Sequence, residues 1–159
     1  MDFVLACYHL KNKGYAIQVK FVGKIHNVAI VDTVQRAIVL LGLRDQVIFT
    51  DNSVKINEIK EKEEYYFNLS IGDFVGYSSI ECIESGLKTL FYNIDDNLEK
   101  IANNKFMTVS SFSSLCEKLE QIHRDRKKYD EIIKNENLEL RSSYYLNDED
   151  ELQLKKILQ

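Results

Sequence analysis

Short apolar runs of strand type alternate with segments of helical period along most of the chain. No other feature limits the fold so much, because strand runs separated by amphipathic helices give parallel βαβ units. Phe3, Cys7 and Leu10 lie at helical spacing in an opening helix that Lys13-Gly14 ends, and Ala16 to Val22 reads as a strand closed by a turn at Gly23. Val31, Val34, Ile38 and Leu41 line one face of a second helix that Gly42 closes. The run Gln46 to Thr50 is the next strand, followed by a brief helix through Ile56 and Ile59, with the charged stretch Glu58 to Glu64 as its solvated face.

Tyr65 to Leu69 returns to strand character, and a glycine-punctuated loop from Ser70 to Gly76 leads to a helix from about Ser79 to Ser85. Lys88 to Tyr92 is a strand, Asp96 to Asn103 a helix and Phe106 to Val109 a last short strand. Beyond Ser110 the pattern is helical, through Leu115, Leu119, Ile122, Tyr129, Ile132 and Ile133, to a final amphipathic piece from about Asp148 to Leu158. The expected architecture is α/β, a Rossmann-like parallel sheet with helices on both faces and a helical C-terminal tail. We divide it at residue 126, with 1–126 as the sheet domain and 127–159 as a helical extension of it. Such a sheet binds ligands at the carboxyl ends of its strands, which directs attention to the loops after Val22, Thr50, Leu69 and Tyr92.

Composition excludes several classes. At 159 residues, 45% hydrophobic and 29% charged, the chain is an ordinary folding domain. The net charge of −4, without a block of either sign, leaves no footprint for nucleic acid. Cys7, Cys82 and Cys116 are odd in number and show no C-x-x-C spacing, which speaks against zinc and against a disulfide framework and for a reduced, cytoplasmic setting. No apolar run approaches the ~20 residues of a membrane span.

The loop after Leu69 delivers glycines, an acid and serines to the start of a helix. Gly72 and Gly76 permit close backbone approach, and the amides of Gly76, Tyr77 and Ser78 could receive an anion. Two bland readings stand beside that one. Ser78-Ser79-Ile80-Glu81 fits an S-x-x-E capping box, in which Glu81 turns back onto the cap amide, and Asp73 fits a solvated loop acid.

Taken whole, Ser70-x-x-Asp73-x-x-Gly76-x4-Glu81 followed by Ser85-Gly86-Leu87-Lys88-Thr89-Leu90 resembles the signature of retaining glycosyltransferases of the GT-B fold, notably family 4 (group 1 glycosyltransferases). That signature lies in their C-terminal, nucleotide-sugar-binding half. Phe3 to Gly23 and Leu41 to Phe49 resemble flanking parts of the same half, so the resemblance covers about residues 1–126. It implies that Glu81 accepts hydrogen bonds from the donor ribose and that Asp73, the implied catalytic acid, faces the donor sugar. It also implies that the backbone of Gly76, Tyr77, Ser78 and Ser79 receives the diphosphate and that Thr50, Asp51, Asn52 and Ser53 border the base.

The chain departs from the family at several positions. Asp73 is one methylene shorter than the usual Glu, and Lys88 stands where proline is usual, in a chain with no proline. The family's initial strand, and the Arg and Lys that neutralise the leaving diphosphate ahead of the first helix here, have no counterpart. The resemblance thus implies a sheet lacking its first strand, a fragment of a two-domain enzyme, and partners in a nucleotide-sugar donor and a missing N-terminal acceptor domain. It implies no metal and no cofactor beyond the donor. Surface-polysaccharide synthesis is the family's usual setting, on the cytoplasmic side and peripheral to the membrane through the missing half. Such a fragment is expected not to turn over alone. The C-terminal helices are a candidate homodimer surface. Two other readings stay open: a GT-B nucleotide-sugar epimerase, and a non-catalytic flavodoxin-like interaction domain in which Glu81 is only a cap. Of the histidines, His26 is best placed, since its turn faces the ligand edge.

Overall fold

The structure, a computed structural model, describes residues 1–50, 54–60, 64–69, 76–92, 105–143 and 156. Eleven elements follow in order among them. They are α1 (Asp2–Asn12), β1 (Val19–Val22), α2 (Val28–Leu40), β2 (Val47–Thr50), α3 (Ile56–Lys60), β3 (Tyr65–Asn68), α4 (Tyr77–Glu84), β4 (Lys88–Tyr92), β5 (Thr108–Val109), α5 (Phe112–Arg124) and α6 (Arg126–Ser142). The expected helices over Asp96 to Asn103 and Asp148 to Leu158 lie outside the described residues, apart from Lys156.

All strand pairings are parallel. They form two sheets, one of β1 and β2 and one in the order β3-β4-β5. Val19 lies opposite Val47 in the first, Phe67 opposite Leu90 and Phe91 opposite Thr108 in the second. Among the described residues, β1 pairs with β2 and β3 with β4, each along one edge.

Helices enter strands by one recurring turn. After α2, Leu43 donates to the Ile38 carbonyl and Gly42 to that of Val39; after α4, Leu87 donates to Cys82 and Gly86 to Ile83. This is the Schellman arrangement, which needs a left-handed residue, and Gly42 and Gly86 supply it at φ 66° and 91°. The residue after each glycine, Leu43 or Leu87, is buried and anchors the next strand.

β4 shows what a strand covered on both faces requires. Leu90 and Tyr92 pack with Ala6, Leu115, Ile122 and Ile133 from α1, α5 and α6, whereas Phe91 packs with Ile80, Ile83, Met107 and Leu140. Alternate residues thus enter two cores, and the end of the strand, Leu90 to Tyr92, is apolar throughout. A third core joins Val4 and Cys7 of α1 to Ile38, Leu43 and Val47. α1 serves both sheets, since Ala6 belongs to one core and Val4 to another.

Three expectations shift. The first strand begins at Val19 rather than Ala16, because Tyr15 still donates to Leu10 as part of the helix end. The last strand is only Thr108–Val109, because the Glu136 carboxylate takes the amides of Phe106 and Met107 at 2.8 and 2.7 Å. The helix expected at Ser79 starts at Tyr77, with Gly76 as its N-cap and no side-chain cap.

Candidate functional site

That early start overturns the capping-box reading. Ser78 lies inside α4, so Glu81 has no cap amide to turn back to. Glu81 is exposed, and it lines a groove of 1510 Å³ that runs between β1 and β3.

The carboxyl end of the groove gathers residues from three connections. Gly23, Lys24, His26 and Asn27 follow β1, Thr50 ends β2, and Ser78 and Glu81 come from the start of α4. They meet there because parallel strands bring their carboxyl ends to one edge. Two helices start at this edge and differ in their first turns. The Asn27 side chain caps α2 by accepting from the Ile30 amide at 3.1 Å, while α4 has only the glycine.

Of the residues singled out from the sequence, Thr50, Ser78 and Glu81 share the groove. The Ser78 hydroxyl lies 3.5 Å from the Tyr66 hydroxyl of β3. Tyr77 points to solvent, 82% exposed, and neither it nor Gly76 lines the groove. Ser79 faces inward: its hydroxyl accepts from Asn68 Nδ2 at 2.6 Å, and its amide donates to the Gly76 carbonyl at 2.9 Å. Asp51, Asn52, Ser53 and Asp73 lie outside the described residues.

Tyr66 and Lys24 were not singled out. Tyr66 carries no local signal, since its hydroxyl reaches Ser78 only once β3 and α4 pack together. Lys24 had one: it directly follows Gly23, the turn already assigned to the ligand edge. Among the described residues, no three His, Cys, Asp or Glu side chains gather as a metal would require. None of the described helices is long and apolar enough to cross a membrane.

The architecture has a solved counterpart. The structure is similar to the crystal structure of the C-terminal domain of a glycosyl transferase group 1 family protein, LpcC, from Francisella tularensis. The match covers 92% of this chain and 79% of that one at a TM-score of 0.69 and 18% sequence identity. The chain has the fold of a glycosyltransferase C-terminal domain. At that identity the likeness carries fold and not chemistry. No family model matches the sequence, and no curated protein matches it.

Within this glycosyltransferase-type fold, the groove's carboxyl end offers a carboxylate, hydroxyls and the start of a helix with no side-chain cap. A carboxylate suits a vicinal diol, because its two oxygens accept both hydroxyl protons in charge-assisted bonds. A helix start suits a phosphate, for a gain of ~0.3–1 kcal/mol.

Proposed function

We propose that this chain is the donor-binding domain of a glycosyltransferase, which moves a sugar with retention from a nucleoside diphosphate to a saccharide or lipid-linked acceptor. What supports this reading is that Thr50, Ser78 and Glu81, from connections after two different strands, line one groove at the carboxyl edge of a parallel sheet. Glu81 would take the ribose hydroxyls, the first turn of α4 the diphosphate, Thr50 to Ser53 the base, and Asp73 the donor sugar. No metal enters the scheme, and the protein would work in the cytoplasm, beside a separate acceptor-binding domain.

Stabilising the charge that develops on the leaving diphosphate needs preorganised cations. Lys24 is a lysine at the groove's carboxyl end, and a full set would require residues beyond this domain. The domain alone should bind donor weakly and not turn over.

An amide NMR titration with UDP, GDP and ADP, each free and as its sugar conjugate, tests the reading. Saturable shifts at Gly76 to Glu81 and at Thr50, for one base over the others, are expected. Shifts confined to other surfaces, or none at millimolar ligand, would remove the donor-site assignment for this domain.

A further inference from the structure

We propose that the outer face of α2 is a self-pairing surface, on which the same helix of a second copy of this chain packs antiparallel, with Asp32 of each copy beside Arg36 of the other.

α2 is apolar on more than the side the domain uses. Ile38 is buried and Val34 half-buried in the core with Leu43 and Val47. On the other side Val28, Val39 and Leu40 are 65%, 48% and 86% exposed. Apolar surface gathered in this way marks a contact face rather than a solvated one. At about 100° per residue, Val28, Val39, Asp32, Arg36, Ala29 and Leu40 follow one another around an arc of ~120°. None of the six lines the donor groove, so the surface is independent of the donor-site reading.

Two charges in the middle of that arc decide what fits it. Glu120 and Arg124, an acid one turn ahead of a base on α5, close to 3.2 Å. Asp32 and Arg36 have the same order and spacing, yet neither forms an ion pair among the described residues. A lipid surface would have to cover both charges without giving them partners, which is unfavourable. A second copy gives each of them the opposite charge.

The register follows from two-fold symmetry. When the axis passes at the level of Val34, residues equally far before and after it stand level across the pair, and Asp32 meets Arg36 twice. Val28 and Val39 lie on one flank of the arc and Ala29 and Leu40 on the other. Each of these pairs is then within about one residue's rise, ~1.5 Å, of level, so Val28 meets Val39 and the small Ala29 receives Leu40. Moving the axis two residues either way would set Asp32 against Asp32 or Arg36 against Arg36. The charges thus select a single register among those near the middle of the helix.

The face is that of one 13-residue helix, ~20 Å by ~10 Å, which is well below the ~800 Å² per partner of a standard interface. The association is therefore expected to be weak, with a dissociation constant of about 0.01–1 mM.

Sedimentation velocity of the full chain at low salt, from about 10 µM to about 1 mM, tests the proposal, and a concentration-dependent monomer and dimer are expected. Asp32→Arg and Arg36→Asp each set like charges across the pair and should weaken self-association about tenfold or more. Mixing the two variants should restore a dimer, because one then carries two bases and the other two acids. Both substitutions in one chain should restore self-association as well. Should a charge variant fail to fold, dilution of the unmodified chain followed by amide NMR gives a second reading: shifts should move with concentration at Val28, Asp32, Arg36, Val39 and Leu40 and stay fixed along α5. Association that neither charge reversal weakens, or a mixture that stays monomeric, would overturn the proposal. So would an unmodified chain that is monomeric at 1 mM, and binding of that monomer to phosphatidylglycerol vesicles would assign the face to lipid instead.

Discussion

The Asn137 side chain holds Thr89 by both backbone groups. Its Oδ1 accepts from the Thr89 amide at 2.8 Å and its Nδ2 donates to the Thr89 carbonyl at 2.9 Å. β5 pairs with Phe91 and Tyr92, so among the described residues no strand lies beside Thr89 on that edge. A helix residue acts there as the missing strand neighbour. Asn137 is 3% exposed and Thr89 fully buried, which closes the site to water.

Replacing Asn137 by Leu should therefore be costly although it adds apolar volume. A buried amide and a buried carbonyl lose their partners, at about 1–3 kcal/mol each. The urea midpoint should fall accordingly with an unchanged slope. A loss under about 0.5 kcal/mol would mean that these groups find other partners.

This pair also marks where the sequence stopped being informative. The elements after Gly42 and Gly86 were legible because helix period, glycine and an apolar anchor lie next to one another, and β4 was legible from the apolar residues Leu90 to Tyr92 that end it. Asn137 and Glu136 carry no such signal. Their work on Thr89, Phe106 and Met107 spans about 30 to 48 residues and exists only after α6 has packed on the sheet. That β1 and β3 line one groove could be seen only from coordinates. At the candidate site, Ser78 and Glu81 could be picked out, but S-x-x-E cannot reveal its own frame, and the glycine two residues earlier took the cap.

Asp130 should make the fold acid-sensitive. Its carboxylate accepts from Lys88 at 2.8 Å and from the Tyr65 hydroxyl at 2.5 Å. Burial pushes its pKa up, but these bonds and the charges of Lys88 and Arg126 outweigh that and hold it below the usual aspartate value. A depressed folded pKa gives stability that is complete above the unfolded value, about 3.9, and lost as pH falls through the lower folded one. Asp130→Asn should cost about 1.5–3 kcal/mol at pH 7 and flatten the acid limb of a stability-against-pH curve. An acid limb as steep as that of the unchanged chain would place the titrating group elsewhere.

Glu81→Ala separates binding from folding. The side chain is exposed and caps nothing, so melting should change by less than about 0.5 kcal/mol. If Glu81 holds the donor ribose, the same variant should weaken nucleotide binding about tenfold, near 1.4 kcal/mol, in the NMR titration. Lost stability with unchanged binding would return Glu81 to a structural role.

Cys82 offers a readout of the groove from inside. Its thiol is 1% exposed and lines the groove, and burial, with the neighbouring Glu81 carboxylate adding to it, pushes its pKa up to about 11. The thiolate is the reactive form, so at pH 8 only about one thiol in a thousand is poised to react, on top of the steric block. Iodoacetamide should label Cys82 of the folded chain far more slowly than that of the urea-unfolded chain. Glu81→Gln removes the second cause of the shift and should speed labelling at Cys82 while leaving Cys7 unchanged, because Lys11 is the charge that acts on Cys7. Site-resolved mass spectrometry reads both rates in one sample. Equal rates at Cys82 in the folded and unfolded chain would show that the groove opens to this depth faster than the reagent reacts, and the burial argued for α4 would not hold in solution.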